Sequence, residues 1–231
     1  MKRKLLINIL VTISIFNLCF CIEYKELISK LEQQDEKITK LKAEYYQIIN
    51  FVDLKEVYEL KAKFVYRKPD KLKIYIEEPF KQIVLADSNK VLVNDIVNNT
   101  IYKFDTAKYF EKNYNYLPLI FSQKGKNKKY TISDFIKKTG LKFVKEEEKY
   151  YVLSTRYAKG KTYNDKKVGL RPGETRFILW INKTTLFPEK VNMISEKYVV
   201  ETEFRNFETE FNDDEMFDII QSSNTKVIVV E

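Results

Sequence analysis

Side chains that could do chemistry are few in this sequence. Carboxylates stand in adjacent pairs at Glu77-Glu78 and Asp213-Asp214. Two acids brought together in space are enough for glycoside hydrolysis. Neighbouring residues on a strand point to opposite faces, though, so neither pair forms an acid/base couple by itself, and both read as solvated edges. Histidine is absent from all 231 residues, which removes Ser–His and Cys–His nucleophilic machinery and every imidazole zinc site. No Gly-rich phosphate loop is present. The reading is therefore of a non-enzyme with no catalytic residue, metal or cofactor, and the chemistry left to it is that of a binding surface.

The two cysteines, Cys19 and Cys21, lie at the end of a leader-like segment. Lys2, Arg3 and Lys4 precede a run from Leu5 to Phe20 without a charge, the layout of a secretory signal. That run is shorter than the roughly 20 apolar residues of a membrane span. Cleavage after Cys21 removes residues 1–21 of the 231 and leaves 210, from Ile22 onward, with no cysteine. The other reading keeps Cys21 as a lipidated anchor. Leu18 suits that at −3, whereas Phe20 is bulky for −1. The expected compartment is the periplasm.

The formal charge of +8 falls to +5 once Lys2, Arg3 and Lys4 are gone. This is mild for a chain rich in Lys, Asn, Ile, Tyr and Phe, and nucleic-acid binding is not implied. With five Gly, five Pro, no repeat and no low-complexity linker, residues 22–231 read as a single domain.

The elements follow from the periods. Leu27, Ile28, Leu31, Ile38 and Leu41 mark a helix over 23–39. From about 42 the period becomes two, with strands at 44–49 and 57–66. Leu72, Ile74 and Ile76 alternate with Lys71, Lys73 and Glu77 in a further strand. Gln82 to Ala86, Val91 to Val93 and Ile101 to Phe104 complete an antiparallel meander. Tyr116 to Phe121 reads as a Pro-led helix and Ser133 to Lys138 as a second short one. Strands resume at 141–145, 149–157, 174–182, 188–194, 197–206 and 226–230. The connection 158–173, rich in Lys and Gly, reads as a mobile loop.

The segment Phe64 to Leu92 resembles the LolA family of periplasmic lipoprotein carriers. The resemblance rests on a strand, a basic residue and Pro at Lys68-Pro69, a strand through Leu72, Ile74 and Ile76, a second Pro at Pro79, and an apolar strand ending in Asp87-Ser88-Asn89. Tyr116-Leu117-Pro118-Leu119-Ile120 falls where that family has a Pro-led lid helix. Leu179 to Asn182 and Phe187 to Val191 resemble its later strands. Departures are clear: the family's Arg before Pro is Lys68, with Arg67 one place earlier, and its frequent cavity Trp is Ile74.

The resemblance implies a mainly β fold: an unclosed antiparallel barrel with an N-terminal helix and a short helical lid over a hydrophobic cavity. It implies that Leu72, Ile74, Ile76, Ile83 and Leu85 line the cavity. Leu117, Leu119 and Ile120 would form the lid, and Lys68 and Arg67 the polar clasp that holds it. Arg67, on a strand, is expected to face away from Lys68. The implied partners are lipoproteins bound by their acyl chains, an inner-membrane ABC-type release complex and an outer-membrane acceptor. The alternatives are an anchored acceptor of the same fold lipidated at Cys21, or a related glycolipid- or lipid-binding protein.

Overall fold

The computed structural model describes residues 23–106, 131–158, 161–163, 173–212, 217–218 and 223–230. Helix α1 (Tyr24–Lys37) buries Leu27, Ile28 and Leu31 along one stripe, with Asp35 a turn further on the same side. Glu26 in its first turn and Lys37 in its last suit the helix dipole. Past Ile38 the burial period changes from a helix's to a strand's. In β1 (Lys40–Phe51), Leu41, Ala43, Tyr45, Gln47 and Ile49 are buried, one in every two.

The strands that follow are β2 (Glu56–Arg67), β3 (Lys71–Glu78), β4 (Gln82–Ala86), β5 (Lys90–Asp95) and β6 (Thr100–Asp105). Helix α2 (Ile132–Thr139) comes next. Then come β7 (Lys142–Glu146), β8 (Tyr150–Ala158), β9 (Lys161–Tyr163), β10 (Glu174–Asn182), β11 (Pro188–Ser195), β12 (Tyr198–Glu208) and β13 (Lys226–Val230). α2 is bounded by its own sequence. The Thr131 side chain accepts from the Asp134 amide at 3.1 Å, and Gly140 closes the helix in the left-handed region at φ 66°.

The thirteen strands among the described residues join one sheet in the order β13-β6-β5-β4-β3-β2-β1-β12-β11-β10-β8-β7, with β9 paired to β8. The ends of that path, β13 and β7, do not meet, so the expected unclosed barrel is present. One pairing departs from the antiparallel expectation: β13 runs parallel to β6. Residues after β12 explain it. The Lys40 and Lys42 ammonium groups lie 4.8 and 5.7 Å from the Phe211 ring centre. The Arg67 guanidinium lies 4.8 Å from that of Phe217. These cations all project from the convex face of the sheet. The chain thus crosses that face from mid-sheet to the far edge instead of turning back as a hairpin. β9 also lies inside the expected loop 158–173; residues 159–160 and 164–172 are outside the described residues.

Both helices pack on the concave face. The main buried cluster joins Leu27 and Leu31 of α1 and Ile136 of α2 to Phe64, Leu72, Ile74, Leu153, Leu179, Ile181 and Phe204 of the sheet. A smaller cluster of Ile49, Met193 and Val200 lies further along β1, β11 and β12. Gln47 and Thr202, paired across β1 and β12 with a 2.9 Å hydrogen bond from Nε2 to Oγ1, separate the two on the same face.

Candidate functional site

Register decides which side chains face the helices. β3 and β4 pair Leu72 with Ala86, Ile74 with Val84 and Ile76 with Gln82. Directly opposed residues share a face, so the concave residues of β4 are Val84 and Ala86. Ile83 and Leu85 oppose Tyr75 and Lys73 on the convex face. Of the five residues expected to line a cavity, Leu72, Ile74 and Ile76 are on the concave face and Ile83 and Leu85 on the convex one, and none of them lines the apolar pocket beside α1. For Leu85 the apolar character has another cause. Leu85 and Leu92 line a hollow together with Phe217, where the C-terminal segment crosses the convex face. Leu72 and Ile74 are 5% and 1% exposed, inside the main cluster.

An apolar pocket opens beside the C-terminal end of α1. Ile38, Leu41, Phe64, Tyr66, Phe204, Phe207, Pro188 and Ile132 line it, with Asp35 and Lys68 as its charged groups. Strands β2 and β12 build its aromatic floor. Phe64 and Phe204 meet edge to face with centroids 6.2 Å apart, and Tyr45 lies 6.0 Å from Phe204. Phe207 stacks on Phe187 at 4.6 Å. The cavity volume is about 40 Å³, room for a few waters and far less than a long acyl chain.

Two polar residues hold the helices over this pocket. Lys68 follows β2, and its Nζ donates to the Asp35 carbonyl at 2.5 Å and the Glu36 carbonyl at 3.4 Å. Helix ends leave such carbonyls without helical partners, and a cation there also meets the negative end of the dipole. The Asp35 side chain reaches the other way, accepting from the Ile132 amide at 3.2 Å and the Ser133 amide at 3.0 Å. It thus ties α1 to the first turn of α2. Burial raises the Asp35 pKa above the usual aspartate value, against the opposing pull of the two amides, the Ser133 hydroxyl and Lys68. Lys137 of α2 pairs with Glu32 of α1 on the solvent side.

Lys68 and Arg67 do not share one clasp. Lys68 holds α1, while Arg67 stacks on Phe217 across the sheet. The expected lid residues Leu117, Leu119 and Ile120 lie outside the described residues, as do Cys21 and the leader. Asp35 was not singled out from the sequence, although the sequence carries its signal. It sits at the i+8 position of the apolar series Leu27 and Leu31, where an acid needs a buried partner. Phe204 and Phe207 were missed for another reason: nothing local places their strand beside β1. Among the described residues no cluster of acids or thiols could hold a metal ion, and no helix is long and apolar enough to cross a membrane.

No family-wide sequence profile and no curated protein matches the chain. Solved structures do. The chain is similar to an uncharacterized conserved protein from Thermus thermophilus, with a TM-score of 0.50 and 9% identity over 89% of this chain and 98% of that one. That likeness is one of fold. It is also similar to a LolA superfamily protein from Nitrosomonas europaea, at TM-score 0.44 and 11% identity over 86% and 99% of the two chains. A DUF1329 family protein from Desulfovibrio piger gives TM-score 0.42 and 12% identity over 84% and 95%.

Proposed function

We propose that the protein is an extracytoplasmic, non-enzymatic carrier that takes acyl chains of lipid-modified proteins into the space between α1 and the concave sheet. In this reading it receives them from an inner-membrane ABC-type release complex and passes them to an outer-membrane acceptor. The observation that carries the proposal is the pocket itself: an aromatic floor under a helix whose end is fastened by one lysine and one buried acid. A 16-carbon chain gains roughly 12 kcal/mol on burial. The pocket, at about 40 Å³, is too small for it as it stands, so in this reading α1 leaves its seat. Exposing Leu27, Ile28 and Leu31 costs about 1.5–3 kcal/mol each. That loss, with the broken polar contacts, offsets much of the gain and keeps loading and release reversible.

The test is to isolate the protein from the periplasm of an expressing cell and record its mass intact and under native conditions. The expected result is an unmodified chain starting near Ile22 with lipid or lipoprotein bound. In the Phe207→Asp variant the cargo should be lost while the circular dichroism stays that of the parent. A diacylglyceryl group on Cys21 would turn the reading to an anchored acceptor. An unmodified chain that never retains lipid would count against the carrier.

A further inference from the structure

The two ends of the sheet are finished differently. At β7, three of five residues carry charge (Lys142, Lys145 and Glu146), and the register shifts between Phe143 and Lys145. Charge and irregularity both discourage pairing with a further strand. At the opposite end, β13 reads Lys-Val-Ile-Val-Val and has no charge after Lys226. One of its edges bonds to β6; among the described residues no strand pairs with the other. Val227 and Val229, beside Ile101 and Lys103 on the convex face, are 53% and 67% exposed.

We propose that β13 is a self-association edge, at which two copies of this chain pair their β13 strands antiparallel about a two-fold axis. Continuing the sheet requires that axis to stand normal to it, so opposed positions share parity. Centring on Ile228 engages all five residues. It sets Ile228 against its mate, Val227 against Val229 and Lys226 against Val230. Centring on Val227 or Val229 engages only three. The chosen register joins the four exposed valines into one β-branched cross-strand patch. An unrelated extended peptide could satisfy the same backbone groups, but a second copy supplies the valine match by symmetry. Because β7 is shielded, the pairing uses up the open edge and closes at two copies. Five residues a side is small for an interface, so the dimer is weak and concentration-dependent.

Sedimentation velocity of the purified protein, from low micromolar to near-millimolar, tests this. The expected result is a rise toward twice the monomer mass. Val227→Lys and Val229→Glu, at exposed positions, should each weaken association about tenfold or more with an unchanged melting temperature. A mixture of the two variants should associate more tightly than either alone, because position 227 faces position 229. A monomer at every concentration would overturn the proposal. So would a dimer indifferent to both substitutions, a mixture no tighter than its components, or pairing of this edge with a foreign peptide but not with itself.

Discussion

Lys68 is the residue on which the closed state turns, because its ammonium meets two carbonyls that α1 cannot satisfy internally. Replacing it with Met should cost about 1–3 kcal/mol. In urea the midpoint should fall, and amide exchange should quicken first in the last turn of α1. Lys68→Arg should retain most of the contact, whereas Arg67→Met should leave α1 exchange untouched. Asp35 adds a pH term. Its pKa is raised in the folded protein, so the native state holds the proton more tightly than the unfolded chain. Stability contributed through Asp35 therefore falls as pH rises from the ordinary aspartate range, about 4, through the raised value, and returns on acidification. Urea midpoints against pH should show this slope in the parent and lose it in Asp35→Asn. A slope that survives the substitution would assign it to other groups.

At the scale of elements, α1 is held more by burial than by its own propensity. It has no side-chain cap at its N-terminus, and on its surface it carries an exposed Glu26–Lys30 pair. Leu31 is fully buried. Leu31→Ala should cost about 2–5 kcal/mol and lower the melting temperature by several degrees. Leu72, 5% exposed in the same cluster, is for that reason a poor probe of cargo handling. A charge there would destabilise the fold before it tested the pocket. Phe207, at the rim, separates the two effects.

For the whole molecule, the long-range tie is the C-terminal segment. It leaves β12 at mid-sheet, crosses β1 to β3 through Phe211 and Phe217, and ends as β13 on β6. Phe217→Ala removes the ring beneath Arg67 and Lys71, contacts of about 0.5–2 kcal/mol. Hydrogen exchange should then quicken in β13 and in the β6 amides it covers, while α1 keeps its protection. Equal loosening of both would mean that the segment and the helix latch are one cooperative unit.

Periodicity alone was enough for most of the described elements, though not for β9. The spacing of Leu27, Ile28 and Leu31 marked α1, the alternation of Leu72, Ile74 and Ile76 marked β3, and short apolar runs between turn residues marked most of the others. Side-chain alternation is local, so a chain with no structure can still show it. The facing of β4 was not legible, because Ile83, Val84, Leu85 and Ala86 are all apolar and no alternation remains to be read. Only the hairpin register, opposing Ile74 to Val84, sends Ile83 and Leu85 to the convex side. The neighbours of β1 were equally hidden, since β12 reaches it from roughly 150 residues away along the chain. The same holds for the parallel seat of β13 and for the meeting of Lys68, Asp35 and Ser133. Those contacts join segments far apart in the chain, and a contact made by closing the chain on itself leaves no spacing in the sequence to announce it.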